Sequence, residues 1–165
     1  MKSLVVYYSL EGNTEYVAGK IAEKLGADIL KVIPKKAYSD KGFSKFFWGG
    51  KSSVMAEKPE LEPYNVDLSS YEQIVFGFPV WAGTFAPPIR TFVNDNVENI
   101  KGKHISAFAC QSGAGAEKAL SKLAIAIGIT SFEHIAILIN PLAKKSQEND
   151  LKILTFINKL KEAES

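Results

Sequence analysis

Two apolar patterns alternate along the chain. Short, near-continuous apolar runs occupy residues 4–8, 29–33, 74–78, 105–110 and 135–139. Between and after them lie segments 14–25, 86–94, 115–127 and 148–161, where apolar residues recur every three or four positions. The first such segment puts Val17, Ala18, Ile21 and Leu25 on one face. The third does the same with Ala116, Leu120, Leu123, Ala124 and Ile127, and the last with Leu151, Leu154, Ile157 and Leu160. Runs of the first kind suit strands buried on both faces, and segments of the second kind suit amphipathic helices. Their alternation predicts an α/β fold: a doubly wound, five-stranded parallel sheet with helices on both faces and right-handed crossovers.

The rhythm breaks once. From Pro34 to Gln73 the chain spends roughly forty residues where a short crossover is expected. This stretch holds six lysines between Lys35 and Glu60 against Asp40, Glu57 and Glu60, and the aromatic run Phe46, Phe47 and Trp48. A short helix is expected over 42–55, with irregular chain after it. The aromatic run either packs the crossover on the sheet, forms a lid over a nearby pocket, or makes a dimer contact.

At 165 residues the chain is expected to form a single domain, 1–165, with 34–73 as its extended crossover. Its first apolar run is too short for a signal peptide and is broken at once by Ser9, Glu11 and Asn13, so it reads as a strand. No apolar stretch reaches membrane-span length, and a net charge of +2 is too small to argue for nucleic acid. No nucleic-acid or membrane partner is expected. A single cysteine, Cys110, excludes an internal disulfide and suits a reducing, cytoplasmic setting.

The chemistry gathers in three loops, each following a predicted strand. The first reads Ser9, Leu10, Glu11, Gly12, Asn13, Thr14 and leads straight into a helix. A helix start presents unpaired N–H groups and a dipole that favours an anion. Ser9 and Thr14 add hydroxyl donors, and Gly12 allows close approach. The loop lacks the lysine of a P-loop and the three glycines of a dinucleotide fingerprint, so neutral donors would hold the anion. A plain turn capped by Asn13 or Thr14 is the alternative. The second loop, Pro79, Val80, Trp81, Ala82, Gly83, offers a flat apolar ring and open backbone, followed by Pro87 and Pro88 in the first turn of a helix. Its alternative is a buried tryptophan in a tight turn. The third, Cys110, Gln111, Ser112, Gly113, Ala114, Gly115, pairs small residues with polar groups for a heteroaromatic edge; its alternative is a helix entry capped by Ser112.

In order and spacing these three loops resemble the flavodoxin-like FMN-binding family over essentially the whole chain. They are more like its short prokaryotic flavodoxins and flavin-dependent reductases than its strongly acidic electron carriers. The resemblance implies strand order 2-1-3-4-5 and FMN as cofactor. Ser9, Leu10, Glu11, Gly12, Asn13 and Thr14 would hold the phosphate. Pro79, Val80, Trp81, Ala82 and Gly83 would run beside the flavin ring, and Cys110, Gln111, Ser112, Gly113 and Gly115 would line its other edge. Two departures matter. Residues 110–116 hold no Asp, Glu or Tyr, and residues 79–88 hold no carboxylate. A less negative second reduction step than in an acidic flavodoxin is therefore expected.

The remaining candidates are weak. Nothing near Cys110 in sequence would activate its thiol. His104 is expected to face solvent, and His134 has no partner at metal-ligand spacing, so no metal site is expected. No protein catalytic residue is assigned, because the cofactor would carry the hard chemistry. The function implied is an FMN-binding redox protein: either an electron carrier serving a redox partner protein, or a reductase passing electrons from NADH or NADPH to a small-molecule acceptor such as a quinone. The alternative is a non-enzymatic binding module that has kept the doubly wound fold and lost its flavin. Monomer and homodimer both remain open.

Overall fold

The structure, a computed structural model, describes residues 1–38 and 57–163. Its frame is five parallel strands: β1 (Ser3–Tyr7), β2 (Asp28–Lys31), β3 (Gln73–Trp81), β5 (His104–Gln111) and β6 (Ile135–Ile139). A two-residue strand, β4 (Thr84–Phe85), turns back on β3. The helices are α1 (Asn13–Leu25), α2 (Pro87–Ile100), α3 (Ala116–Ile127) and α4 (Gln147–Glu162). The sheet runs β2-β1-β3-β5-β6, which is the expected order once the small β4 is set aside.

Alternation along the strands builds two cores. Leu4, Val6, Ile74, Phe76 and Phe78 face α2 and α3, packing with Ile89, Phe92, Leu120 and Leu123. Val5, Tyr7, Val75, Phe108 and Leu138 face α1 and α4, packing with Val17, Ile21, Phe156 and Leu160. Successive strand side chains point to opposite faces, so near-continuous apolar strands fill both layers. One position on the second face has no side chain. Gly77 pairs with Phe108 across β3 and β5, and a Cβ on Gly77 would stand 2.1 Å from Phe108 Cζ. The ring occupies the space the glycine leaves.

Three elements differ from the sequence pattern. β3 continues to Trp81, because Ala82 (φ +49°) and Gly83 (φ +68°) form a two-residue hairpin turn between it and β4. Two consecutive left-handed residues match the twist of a hairpin. α2 runs to Ile100 rather than stopping near residue 94. In α4 the buried stripe is Asn149, Ile153, Phe156, Ile157 and Leu160, while Leu151 is 65% and Leu154 53% exposed. Two helical stripes overlap in this sequence, and the one carrying Phe156 wins because that ring meets Phe108.

The crossover after β2 is closed at its neck. Pro34 and Leu61 form an antiparallel bridge, the Lys35 N–H donates to Glu60 O (2.9 Å), and the Glu62 N–H donates to Ile33 O (2.7 Å). The helix expected over 42–55 and the Phe46, Phe47, Trp48 run lie outside the described residues. Among the described residues no helix is long and apolar enough to cross a membrane.

Candidate functional site

All five parallel strands point the same way, so the segments after β1, β3, β5 and β6 share one edge of the sheet. β1 and β3 are neighbours whose chains leave in opposite directions, β1 toward β2 and β3 toward β5. That is the switch point where open α/β sheets bind ligands.

The segment after β1 is built as an anion cradle. Gly12 is the N-cap of α1 at φ +97°, and no side chain caps the helix. The first helical bond is Tyr16 N–H to Gly12 O (3.0 Å), so the amides of the first turn have no intrahelical acceptor. Ser9 Oγ accepts the Gly12 N–H (3.2 Å), which closes the loop and leaves the hydroxyl proton available to donate. Thr14 is 1% exposed, and its Oγ1 is buried with no oxygen or nitrogen partner, only the weakly bonding Cys110 sulfur beside it. An orphaned buried hydroxyl costs about 1–3 kcal/mol; an oxyanion acceptor on the first turn would relieve it. The N-cap alternatives, Asn13 and Thr14, are both displaced by Gly12. Glu11 is exposed and Leu10 packs partly on the core. Glu15, the third residue of the helix, is tied to Lys31 (3.0 Å) and to the Tyr7 hydroxyl (2.9 Å). Lys31 and that hydroxyl hold its carboxyl below the usual range, and burial with the Glu15 charge pushes the Tyr7 phenol upward.

The segment after β3 is a wall. Gly77 O accepts the Tyr8 N–H (3.2 Å), so by strand alternation the Pro79 nitrogen also faces the β1 side, where β1 has already ended. Pro79 therefore removes no ladder bond. Trp81, expected as an open stacking face, is only 6% exposed. Its ring meets Tyr8 and Tyr38 edge-on, each at 5.5 Å, in an aromatic cluster. What the hairpin presents at its tip is the backbone of Ala82 and Gly83. Lys122 Nζ donates to Thr84 Oγ1 (2.8 Å), and a Cβ on Gly83 would lie 3.3 Å from the Lys118 stem, so two lysines of α3 flank this hairpin.

The segment after β5 backs directly onto that wall. A Cβ on Gly115 (φ +100°) would stand 3.0 Å from Gly83 Cα and 3.3 Å from Val80 Cγ1. The two loops thus form one continuous surface rather than two sides of a slot. Gly115 is the N-cap of α3, repeating the device of Gly12, and Gln111 Oε1 accepts the Ala116 N–H (2.9 Å). The Gln111 oxygen thus takes the capping role that the sequence alternative gave to Ser112. Ser112 and Gly113 are exposed. Cys110 is buried, and desolvation pushes its thiol up to about 12, only partly offset by the Thr14 hydroxyl beside it. A protonated, buried thiol is not a nucleophile.

Residues 2–152 match a family model described as Flavodoxin. The chain belongs to the flavodoxin family. Solved structures similar to this flavodoxin include a Lactobacillus acidophilus flavoprotein in complex with FMN, with 21% identity, TM-score 0.67, and coverage of 94% of this chain and 97% of that one. Oxidised flavodoxin 2 from Bacillus cereus has 17% identity and TM-score 0.62, covering 99% of each chain. Two-electron reduced Megasphaera elsdenii flavodoxin has 17% identity and TM-score 0.60, covering 96% of this chain and 98% of that one. At these identities the likeness is one of fold.

Sequence reasoning named the loops after three strands and missed a fourth in this flavodoxin. Asn140 follows β6 at φ +43°, donates its N–H to Gln111 O (3.0 Å), and places Oδ1 3.4 Å from the Ser112 hydroxyl. The signal was present: Asn140-Pro141 after an apolar run is a turn dipeptide. Tyr8 and Tyr38 were also missed as members of the Trp81 cluster. His104 lies at the opposite end of the sheet, exposed and bonded to Glu133 (2.7 Å). Among the described residues no group of His, Cys, Asp and Glu could hold a metal ion.

Proposed function

We propose that this chain binds FMN non-covalently at the carboxyl end of its sheet and works as an electron-transfer protein. One observation carries the reading: a buried Thr14 hydroxyl with no oxygen or nitrogen partner, on a first helical turn that no side chain caps. The residues present fit a phosphate monoester. Ser9 and Thr14 would donate hydroxyls, Gly12 would let the backbone approach, and the α1 amides and dipole would face the charge. The backbone of Ala82 and Gly83 and the small residues Ser112, Gly113 and Gly115 would border the ring. The chemistry that FMN supplies when bound is reversible uptake of electrons. The protein's part is to bind it, orient it and set the surrounding charge.

Within that function a carrier role has the better support. Cys110 is buried, and the loops of the site hold no histidine; the one carboxylate among them, Glu11, is exposed to solvent. Lys118 and Lys122 beside the hairpin suit a redox partner with an acidic surface. The test is a titration of flavin-free protein with FMN and with riboflavin, followed by steady-state oxidation of NADH and NADPH with a quinone. Saturable FMN binding, weaker riboflavin binding and no turnover without an added reductase are expected. Turnover by the chain alone would replace the carrier with the reductase reading. A colourless protein that takes up no FMN would leave a binding module without flavin and overturn the proposal.

A further inference from the structure

The loop between β6 and α4 is stitched to the phosphate loop by one side chain. Asn13 Oδ1 accepts the N–H groups of both Leu142 (2.9 Å) and Ala143 (3.1 Å). Two amide donors on one atom fix which end of the side chain is oxygen and use both of its lone pairs. The approach is close elsewhere too: a Cβ on Gly12 would stand 3.1 Å from Leu142 Cδ2. At its own base the loop is wound tight by Lys144 N–H to Asn140 O (2.7 Å), and Asn140 reaches Gln111 and Ser112. One short segment is thereby fastened to two of the loops that carry the proposed site. The same segment sets Lys145 Nζ 5.4 Å from the Tyr16 ring on α1, where Lys20 Nζ also sits at 4.7 Å.

We propose that Asn13 is a positioning residue that clamps the β6–α4 loop onto the phosphate loop, making that loop a fourth wall of the site and linking its order to phosphate binding. The proposal rests on the FMN reading above. In this role the side chain of Asn13 does not grip the phosphate; it holds the backbone that does. Linkage is reciprocal: if the clamp favours phosphate binding, a bound phosphate must favour the clamp by the same factor. The free energy involved belongs to the phosphate end of the ligand. It should therefore appear as discrimination between FMN and riboflavin, which share the ring.

The test combines amide hydrogen exchange with flavin titration in the full chain, using wild type, Asn13→Ala and Asn13→Asp. In flavin-free wild type the Leu142 and Ala143 amides are protected, and FMN raises that protection while riboflavin does not. In Asn13→Ala their protection falls, FMN affinity drops by roughly tenfold, and riboflavin affinity changes by less than about threefold. Asn13→Asp keeps an acceptor oxygen, so it retains protection of both amides in the flavin-free protein; this separates the clamp from a general loss of fold. Equal exchange at Leu142 and Ala143 in wild type and Asn13→Ala overturns the clamp. An unchanged FMN-to-riboflavin ratio in Asn13→Ala overturns the linkage. Both differ from failure of the FMN reading itself, which shows as wild-type protein that binds no FMN.

Discussion

At Ala82 the chain accepts a conformation that its side chain resists. A φ of +49° in the left-handed region costs a residue with a Cβ about 1–2 kcal/mol. It is held there because Gly83 and the β3–β4 pairing leave a two-residue hairpin no other turn. Ala82→Gly removes the clash but adds disorder to the unfolded chain. We predict a net gain of about 0.5–1 kcal/mol, read as a rise in Tm of about 1–4 °C. Cys110 makes a prediction in pH. Its thiol is raised from 9.0 to about 12 by burial. Below pH 9.0 both folded and unfolded chains carry the proton, and the contribution is fully present. Between 9.0 and about 12 only the folded chain keeps it, so stability falls as pH rises through that window. Urea midpoints at about pH 8 and about pH 10.5 should differ less for Cys110→Ala than for wild type.

At the scale of elements, the junction of β6 and α4 shows how an edge strand is finished. Ser146 caps α4 by accepting the Asn149 N–H (3.1 Å). Asn149 in turn uses its side chain on the strand, accepting the Ile139 N–H (3.2 Å) and donating to Ile139 O (2.8 Å). An amide thus stands in for the neighbouring strand that an edge residue lacks. Asn149→Ala would leave both Ile139 groups unpaired beside an apolar helix. We expect a loss of about 2 kcal/mol in chemical unfolding with an unchanged m-value. This contact also explains a limit of pattern reading. The apolar periodicity of residues 148–161 supports two faces, and the one with Leu151 and Leu154 looks as good as the one that is buried. What decides, beside the Phe156 contact with Phe108, is the polar Asn149, only 5% exposed, whose partners are the backbone N–H and O of Ile139 in another element. Helical and strand periods are local and were legible in the residues; a tertiary hydrogen bond that orients a helix is not. The same holds for Trp81, whose burial depends on Tyr8 and Tyr38, and for the Asn13 contact with a loop far along the chain.

For the molecule as a whole, the doubly wound parallel sheet followed from alternation, because such a sheet admits few windings, while the strand order came from the resemblance of the three loops to a known family. The charge around the proposed site was only half visible. The absence of carboxylates in residues 79–88 and 110–116 reads directly from the sequence. The lysines beside them do not, since Lys118 and Lys122 belong to α3 and reach the hairpin through the fold. Positive charge beside two stretches that carry no carboxylate lowers the cost of negative charge on a reduced flavin. We predict a second reduction step less negative than in acidic flavodoxins, narrowing the difference as salt is added; an anaerobic redox titration at two ionic strengths checks both parts.

The closed neck of the crossover has a consequence for how this protein can be taken apart. Residues 33–35 and 60–62 are already joined across by backbone hydrogen bonds, so the chain leaves the sheet and returns to it at one point. The bonds that close this neck depend only weakly on how many residues lie between its two sides. We expect a change in that number to leave the strand order as it is. Tyr38 and Pro59 mark the limit of such surgery: both lie beyond the neck, Tyr38 against Trp81 and Pro59 O accepting the Thr91 hydroxyl (2.7 Å). A chain recut between them keeps both contacts; one recut closer to the neck takes the Tyr38 ring out of the Trp81 cluster.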